Sequence, residues 1–160
     1  MAVTIREGGK KDLAALIELV RELAAFEKMP DAVMNSAAQA EKDMGLFGFF
    51  VAEEDGGIVG YALYFFTYST WVGKSLYLDD LYVKPEFRGR GTGSMLLRRV
   101  CRLAEEENCR RMRWQVLRWN TDAISFYKKH GALISSEWLN CDFDEKGIGQ
   151  FLRTEKPKAL

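Results

Sequence analysis

Between Leu76 and Ser94 the chain reads LYLDDLYVKPEFRGRGTGS, and few folds accommodate that order of residues. β-Prone apolar residues from Leu76 to Val83 lead into a turn opened by Pro85, then a run of alternating arginine and glycine, then a helical pattern. A strand must therefore pass through a glycine loop directly into a helix. Arg88, Gly89, Arg90, Gly91, Thr92, Gly93 and Ser94 would surround the first turn of that helix. Backbone N–H groups lack intrahelical acceptors there, the helix dipole favours an anion, and glycine lets the main chain approach it. The expectation is a pyrophosphate cradle made of backbone. The loop has no GKS or GKT lysine, which disfavours a Walker-type nucleotide kinase.

The flanking periodicities supply the rest of the architecture. Ala2 to Arg6 alternates as a strand, and Leu13, Leu16, Ile17, Val20, Leu23 and Ala24 recur at helical spacing, a helix expected to end near Met29-Pro30. A weaker helix is expected over Ala37 to Met44. Phe49 to Glu53 and Ile58 to Tyr68 read as strands joined by a hairpin at Asp55-Gly56-Gly57. Leu76 to Val83 is the next strand, and Gly93 to Glu107 a helix with Leu96, Val100, Leu103 and Ala104 on one face. Arg111 to Leu117 reads as a strand, Thr121 to Lys129 as a short helix, and Leu133 onward as strand again. This order predicts an α/β (α+β) fold, a mixed sheet with helices on both faces. At 160 residues with 48% hydrophobic content, one domain over 1–160 is expected.

Charge and cysteine content narrow the partners. Lys+Arg and Asp+Glu both total 23, so a formal net charge of zero gives no general attraction for nucleic acid, although arginines crowd residues 88–118. Cys101, Cys109 and Cys141 are odd in number and lack CxxC spacing, which points to reduced thiols and to no metal site. No leading signal-type run and no apolar window of ~20 residues is present, so a cytoplasmic chain with no membrane partner is expected.

With RGRGTG, the segments YSTW, YLDDLYV and WN followed by FYKKHGA make a combination that resembles the GCN5-related N-acetyltransferases (GNAT). Within that superfamily the chain is most similar to the spermidine/spermine and thialysine acetyltransferases. Ser69 and Thr70 stand where the polyamine branch usually has Asp-Pro, a departure toward the thialysine branch. The resemblance implies a mostly antiparallel GNAT sheet with a splayed strand, acetyl-CoA as cosubstrate, no metal, and a homodimer to which C-terminal strands contribute.

It also implies roles for residues. Gly89 to Ser94 would hold the CoA pyrophosphate, and the backbone of Leu81, Tyr82 and Val83 would pair with pantetheine as if it were another strand. Two successive aspartates in an apolar strand, Asp79 and Asp80, fit a bulge that opens such an edge. The N–H near Tyr82 would hold the developing oxyanion. Tyr127 matches the family's general acid, and a phenol of pKa ~10 is protonated at neutral pH and able to donate; it also shares a helical face with Ile124, as a core residue would. Asp79 matches the acidic residue that draws a proton from the acceptor, where the family more often has Glu; the shorter side chain favours a water relay or electrostatic holding. Glu27, Trp71 and Asp80 correspond to acceptor-pocket positions, with carboxylate pairing and cation–π contact as their chemistry. Arg113, Trp114 and Gln115 match acceptor-lining positions, and Glu137 is a further candidate, from this chain or a partner subunit. Asn120, Thr121, Asp122 and Ala123 match a second CoA-contacting segment, in which Asn120 also suits a helix cap. Lys128 and His130 lie near a basic contact to the CoA phosphates.

Three readings stay open on sequence: acetylation of a small primary amine, acetylation of protein lysine, and a non-catalytic CoA sensor or nucleic-acid module. The acidic and aromatic pocket candidates favour the first.

Overall fold

The computed structural model describes residues 2–154; Met1 and residues 155–160 of the expected 1–160 domain lie outside the described residues. Two compact units divide after Leu117. The first carries β1 (Thr4–Glu7), α1 (Leu13–Phe26), α2 (Ala37–Lys42), β2 (Gly48–Glu54), β3 (Gly57–Ser69), β4 (Gly73–Val83), α3 (Thr92–Glu106) and β5 (Met112–Arg113). The second carries α4 (Thr121–Lys129) and α5 (Glu145–Thr154).

One five-stranded sheet runs in the order β1-β2-β3-β4-β5, antiparallel from β1 through β4 and parallel between β4 and β5. The hairpin expected at Asp55-Gly56-Gly57 is present: Asp55 and Gly56, at φ 52° and 77°, bridge the Glu54↔Gly57 pair. Positive φ at both central residues gives the primed turn whose twist matches the strands it joins. Because side chains alternate across a pleated sheet, Phe49, Val51 and Tyr61 fall on one face and Phe50 and Ala62 on the other. Leu13, Leu16, Ile17 and Leu19 of α1 pack with Phe49, Val51, Tyr61 and Tyr82. The opposite face meets α3, whose Leu96 and Val100 are buried and whose Arg99 guanidinium lies 4.3 Å from the Phe50 ring centroid.

Two backbone details place the site. Helix α1 stops earlier than Pro30 would require, because Lys28 takes a left-handed φ of 64°. Met29 N then donates to Ala24 O at 2.8 Å and Lys28 N to Ala25 O at 3.1 Å, a closure that satisfies the last carbonyls and fixes Glu27 at the helix end. At Gly60 a Cβ would stand 2.7 Å from Tyr82 O, so the approach of β3 to β4 at that point admits glycine alone.

Two sequence expectations give way. The strand expected over Arg111 to Leu117 pairs only at Met112 and Arg113. No strand forms from Leu133 onward among the described residues; Ser135 Oγ accepts from Glu137 N at 3.3 Å in a local turn, and the chain resumes regular structure as α5. Asp144 starts that helix by accepting from Gly147 N at 2.6 Å. A β-prone segment without an edge to pair with has no reason to stay extended, and Phe143 and Phe151 stack on each other with ring centroids 5.8 Å apart.

The first unit is anchored by one buried carboxylate. Asp12 accepts from Arg6 at 2.8 and 2.9 Å and from Gly9 N at 2.9 Å, and the Arg6 bonds, chiefly, hold its pKa down to about 2 despite burial. A depressed folded pKa means stability that is complete above the unfolded value of ~3.9 and lost as pH falls through about 2. Asp12→Asn is therefore expected to lower unfolding free energy by on the order of 2 kcal/mol at pH 7, with the deficit shrinking toward pH 2; denaturant titrations at both pH values check it.

Candidate functional site

The site grows out of an irregularity in β4. Along the β3–β4 ladder Leu63 pairs with Asp80 and Tyr64 with Leu78, so Asp79 is an extra residue with no partner. This is the bulge anticipated at the paired aspartates. In an unbroken strand Leu78 and Asp80 would share a face. Here Leu78 follows Tyr64 toward α3, while Asp80 follows Leu63 to the α1 side. Beyond Tyr77, β5 no longer accompanies β4, so from Leu78 to Val83 the edge away from β3 carries no strand among the described residues. Leu81, Tyr82 and Val83 lie on that open stretch.

Three carboxylates gather on the α1 side. Tyr61, diagonal to Asp80 across the ladder, donates its hydroxyl to Asp80 Oδ2 at 2.9 Å. Burial, chiefly, then the charge of Asp79 and that of Glu27 push Asp80 up to about 6, against the lowering effect of the Tyr61 bond. Glu27 and Asp79 are each raised by loss of solvent. Burial and the Asp80 charge drive the Tyr61 phenol far upward, so it remains a donor. Tyr77 is raised by burial and by Asp79 and lowered by Arg113, which brings Arg113 to the same neighbourhood. None of the three carboxylates forms an ion pair with a protein cation among the described residues.

β4 then enters the glycine loop. Gly89 and Gly91 take φ 75° and 87°, values costly for residues with a Cβ, and a Cβ at either would meet no atom within 4 Å. Helix α3 begins at Thr92 without a side-chain cap. Thr92 is 2% exposed, and its Oγ1 has no partner among the described residues. Unsatisfied donors beside open space fit a pyrophosphate. Arg88 Nε donates to Val83 O at 2.7 Å, with its guanidinium between Phe26 and Tyr82 at 5.1 and 5.4 Å. Arg90 faces Glu54 at 3.6 Å. Gly93 and Ser94 continue the loop into the first turn of α3.

Trp71, 81% exposed, occupies the tip of the β3–β4 hairpin; at ~3.3 Å per residue the strand puts roughly 20 Å between that end and the bulge. Trp114, half-buried, and Gln115, exposed, follow the end of β5. In the second unit Asn120 Oδ1 accepts from Ala123 N at 3.2 Å and caps α4, with Thr121, Asp122 and Ala123 in its first turn. Tyr127 is buried, His130 is exposed with its ring 4.7 Å from that of Phe126, and Glu137 is exposed on the irregular segment. Tyr61 was not anticipated: within an alternating apolar strand the only sign of it is a hydroxyl that a buried phenol must satisfy. Among the described residues no cluster of three His, Cys, Asp or Glu side chains could hold a metal.

Comparison with known proteins agrees with this layout. Residues 13–132 match the acetyltransferase (GNAT) family model. The thialysine N-epsilon-acetyltransferase of Bos taurus is 41% identical over 153 residues, 87% of this chain and 90% of that one. The spermidine/spermine N(1)-acetyltransferase-like protein 1 of Homo sapiens is 37% identical over 145 residues, 83% of this chain and 21% of that one. Among solved structures, an integron cassette protein from the mobile metagenome of V. cholerae superposes with a TM-score of 0.78 at 23% identity, covering 96% of this chain and 99% of that chain.

The cradle is open to direct measurement. Gly91→Ala, at φ 87°, is expected to weaken binding of CoA about tenfold or more by displacing the first amides of α3, as read by calorimetry; unchanged affinity would remove the loop from the anion site.

Proposed function

This chain belongs to the acetyltransferase (GNAT) family, and on that premise we propose that it moves an acetyl group from acetyl-CoA to the primary amine of a small cationic acceptor. The observation that carries the choice of acceptor is the cluster of Glu27, Asp79 and Asp80, three carboxylates without a protein cation, beside the open edge of β4. Thialysine and lysine-like amino acids are the favoured acceptors, ahead of diamines and polyamines. The name of the bovine relative and the Ser69-Thr70 pair both support that order.

The residues divide the work as follows. Amides of Gly89 to Ser94 hold the pyrophosphate, with Arg88 fixing the strand end through Val83, and the backbone of Leu81 to Val83 pairs with pantetheine. Asn120 to Ala123, Lys128 and His130 are assigned the second CoA contact. An acceptor amine reaches the site as ammonium, since a lysine-like group has a pKa near ~10.4. Asp79 and Asp80 hold it, and one proton passes to a carboxylate of this pair. The nitrogen lone pair then attacks the acetyl carbon within a ternary complex, the Tyr82 N–H steadies the oxyanion, the C–S bond breaks, Tyr127 protonates the departing thiolate, and the second proton of the nitrogen leaves to water as the neutral amide forms, solvent returning a proton to Tyr127. Glu27 neutralises the acceptor's distal charge, with Trp71, Arg113, Trp114, Gln115 and Glu137 as lining residues.

The working form is proposed to be a cytoplasmic homodimer of one-domain subunits spanning 1–160. A family match continuous from 13 to 132 supports the single domain, and exposed Trp138, Leu139, Phe143 and Leu152 support a partner surface. Three free cysteines and dependence on acetyl-CoA suit that compartment.

Thiol release from acetyl-CoA against thialysine, lysine, putrescine, spermidine, spermine and a histone-tail peptide tests the reading. Turnover is expected with the small amines and greatest with thialysine; turnover on peptide alone would move the function to protein acetylation. Tyr127→Phe is expected to lower kcat by about 10²-fold with little change in the KM for acetyl-CoA, and a rate within a few-fold of wild type would end its role as general acid.

A further inference from the structure

Tyr61 has no part in the chemistry described so far. It is fully buried in β3, and packing against α1 would be served as well by phenylalanine. Its hydroxyl nonetheless meets Asp80 Oδ2 at 2.9 Å. The bulge makes this bond possible: with Asp79 inserted, Asp80 lies on the face of Leu63, Tyr61 and Tyr82. Asp79, in contrast, is exposed and makes neither a hydrogen bond nor an ion pair among the described residues.

We propose that Tyr61 is a positioning residue for acetyl transfer, holding Asp80 through Oδ2 so that Asp80, and not Asp79, takes the proton from the acceptor's ammonium. This rests on the amine-acetylation reading. One N–H bond of the ammonium breaks, an O–H bond forms at Asp80 Oδ1, and the electron pair left on nitrogen becomes the nucleophile; the proton passes to solvent before the next turnover. Oδ1 has no protein partner among the described residues. A proton acceptor held in one rotamer avoids the reorientation that an exposed side chain would need at each turnover.

The groups facing Asp80 are Tyr61 from β3, Asp79 from β4 and Glu27 at the end of α1. The two carboxylates favour its protonated form, with burial as the larger cause, and the Tyr61 bond favours its ionised form, so their removal has opposite consequences.

The test is the pH profile of kcat/KM for thialysine with the full chain and saturating acetyl-CoA. Wild type is expected to show an acid limb near pH 6, where Asp80 titrates. Tyr61→Phe should move that limb upward, with activity about tenfold lower at pH ~5 and restored above pH ~8. Asp79→Asn should move it downward, and Asp80→Asn should abolish it with a loss of about 10²-fold or more. An unmoved limb in folded Tyr61→Phe, or a limb lost in Asp79→Asn and kept in Asp80→Asn, overturns the proposal. Should Tyr61→Phe fail to fold, the opposite-signed shift in exposed Asp79→Asn decides it. Absence of turnover by wild type on every small amine would instead end the amine-acetylation reading itself, a result distinct from an active enzyme with an unmoved limb.

Discussion

One extra residue in β4 organises the candidate site. A β-strand carries a strict two-residue alternation, so a single insertion exchanges the faces of everything beyond it. At Asp79 that exchange lets Leu78 lie beneath α3 while Asp80 reaches the side of α1, two positions apart in sequence yet on opposite faces of the sheet. The local break in pairing is bounded on both sides: Leu63↔Asp80 through Gly60↔Val83 resume the ladder, and the close approach at Gly60 fixes it there. Since β5 leaves β4 after Tyr77, the same stretch also presents an unpaired edge. Carboxylate placement follows from the bulge and the open edge from the end of β5, and the glycine loop begins where that edge ends.

Much of this was legible in the sequence because the signals were local. The Asp55-Gly56 turn, the αL glycines before α3, the Asn120 cap and the paired aspartates each need only a few neighbouring residues to take effect. What escaped depended on distant partners. Val116 and the segment after Leu133 have strand composition, but composition supplies no edge, and β5 stops after Arg113. Tyr61 reads as core in any window of β3; its bond to Asp80 spans nineteen positions and requires the bulge. The end of α1 is expected near Met29-Pro30, whereas left-handed Lys28 ends it, a conformation lysine seldom adopts and periodicity does not reveal. The contacts of the arginines were equally hidden: nothing local in RGRGTG shows that Arg88 bonds the Val83 carbonyl or that Arg90 faces Glu54.

With the arginines so engaged, the two ends of the open edge differ in how they handle charge. At the loop, the proposed anion affinity would draw on main-chain donors and a helix start, which bring no net charge and demand close, shaped contact. At the bulge, Glu27, Asp79 and Asp80 repel one another with no protein cation to relieve them. Asp80 illustrates the scale: moving a carboxyl from 3.8 to about 6 corresponds to a differential of on the order of 3 kcal/mol between its two protonation states, shared between burial and repulsion. A cation entering the cluster removes part of that cost, whereas a neutral or anionic molecule of the same size removes none. On the proposed function, selectivity for an ammonium would follow from leaving the carboxylates unpaired in the resting protein, and an internal lysine or arginine placed to stabilise them would stabilise the fold and abolish the discrimination.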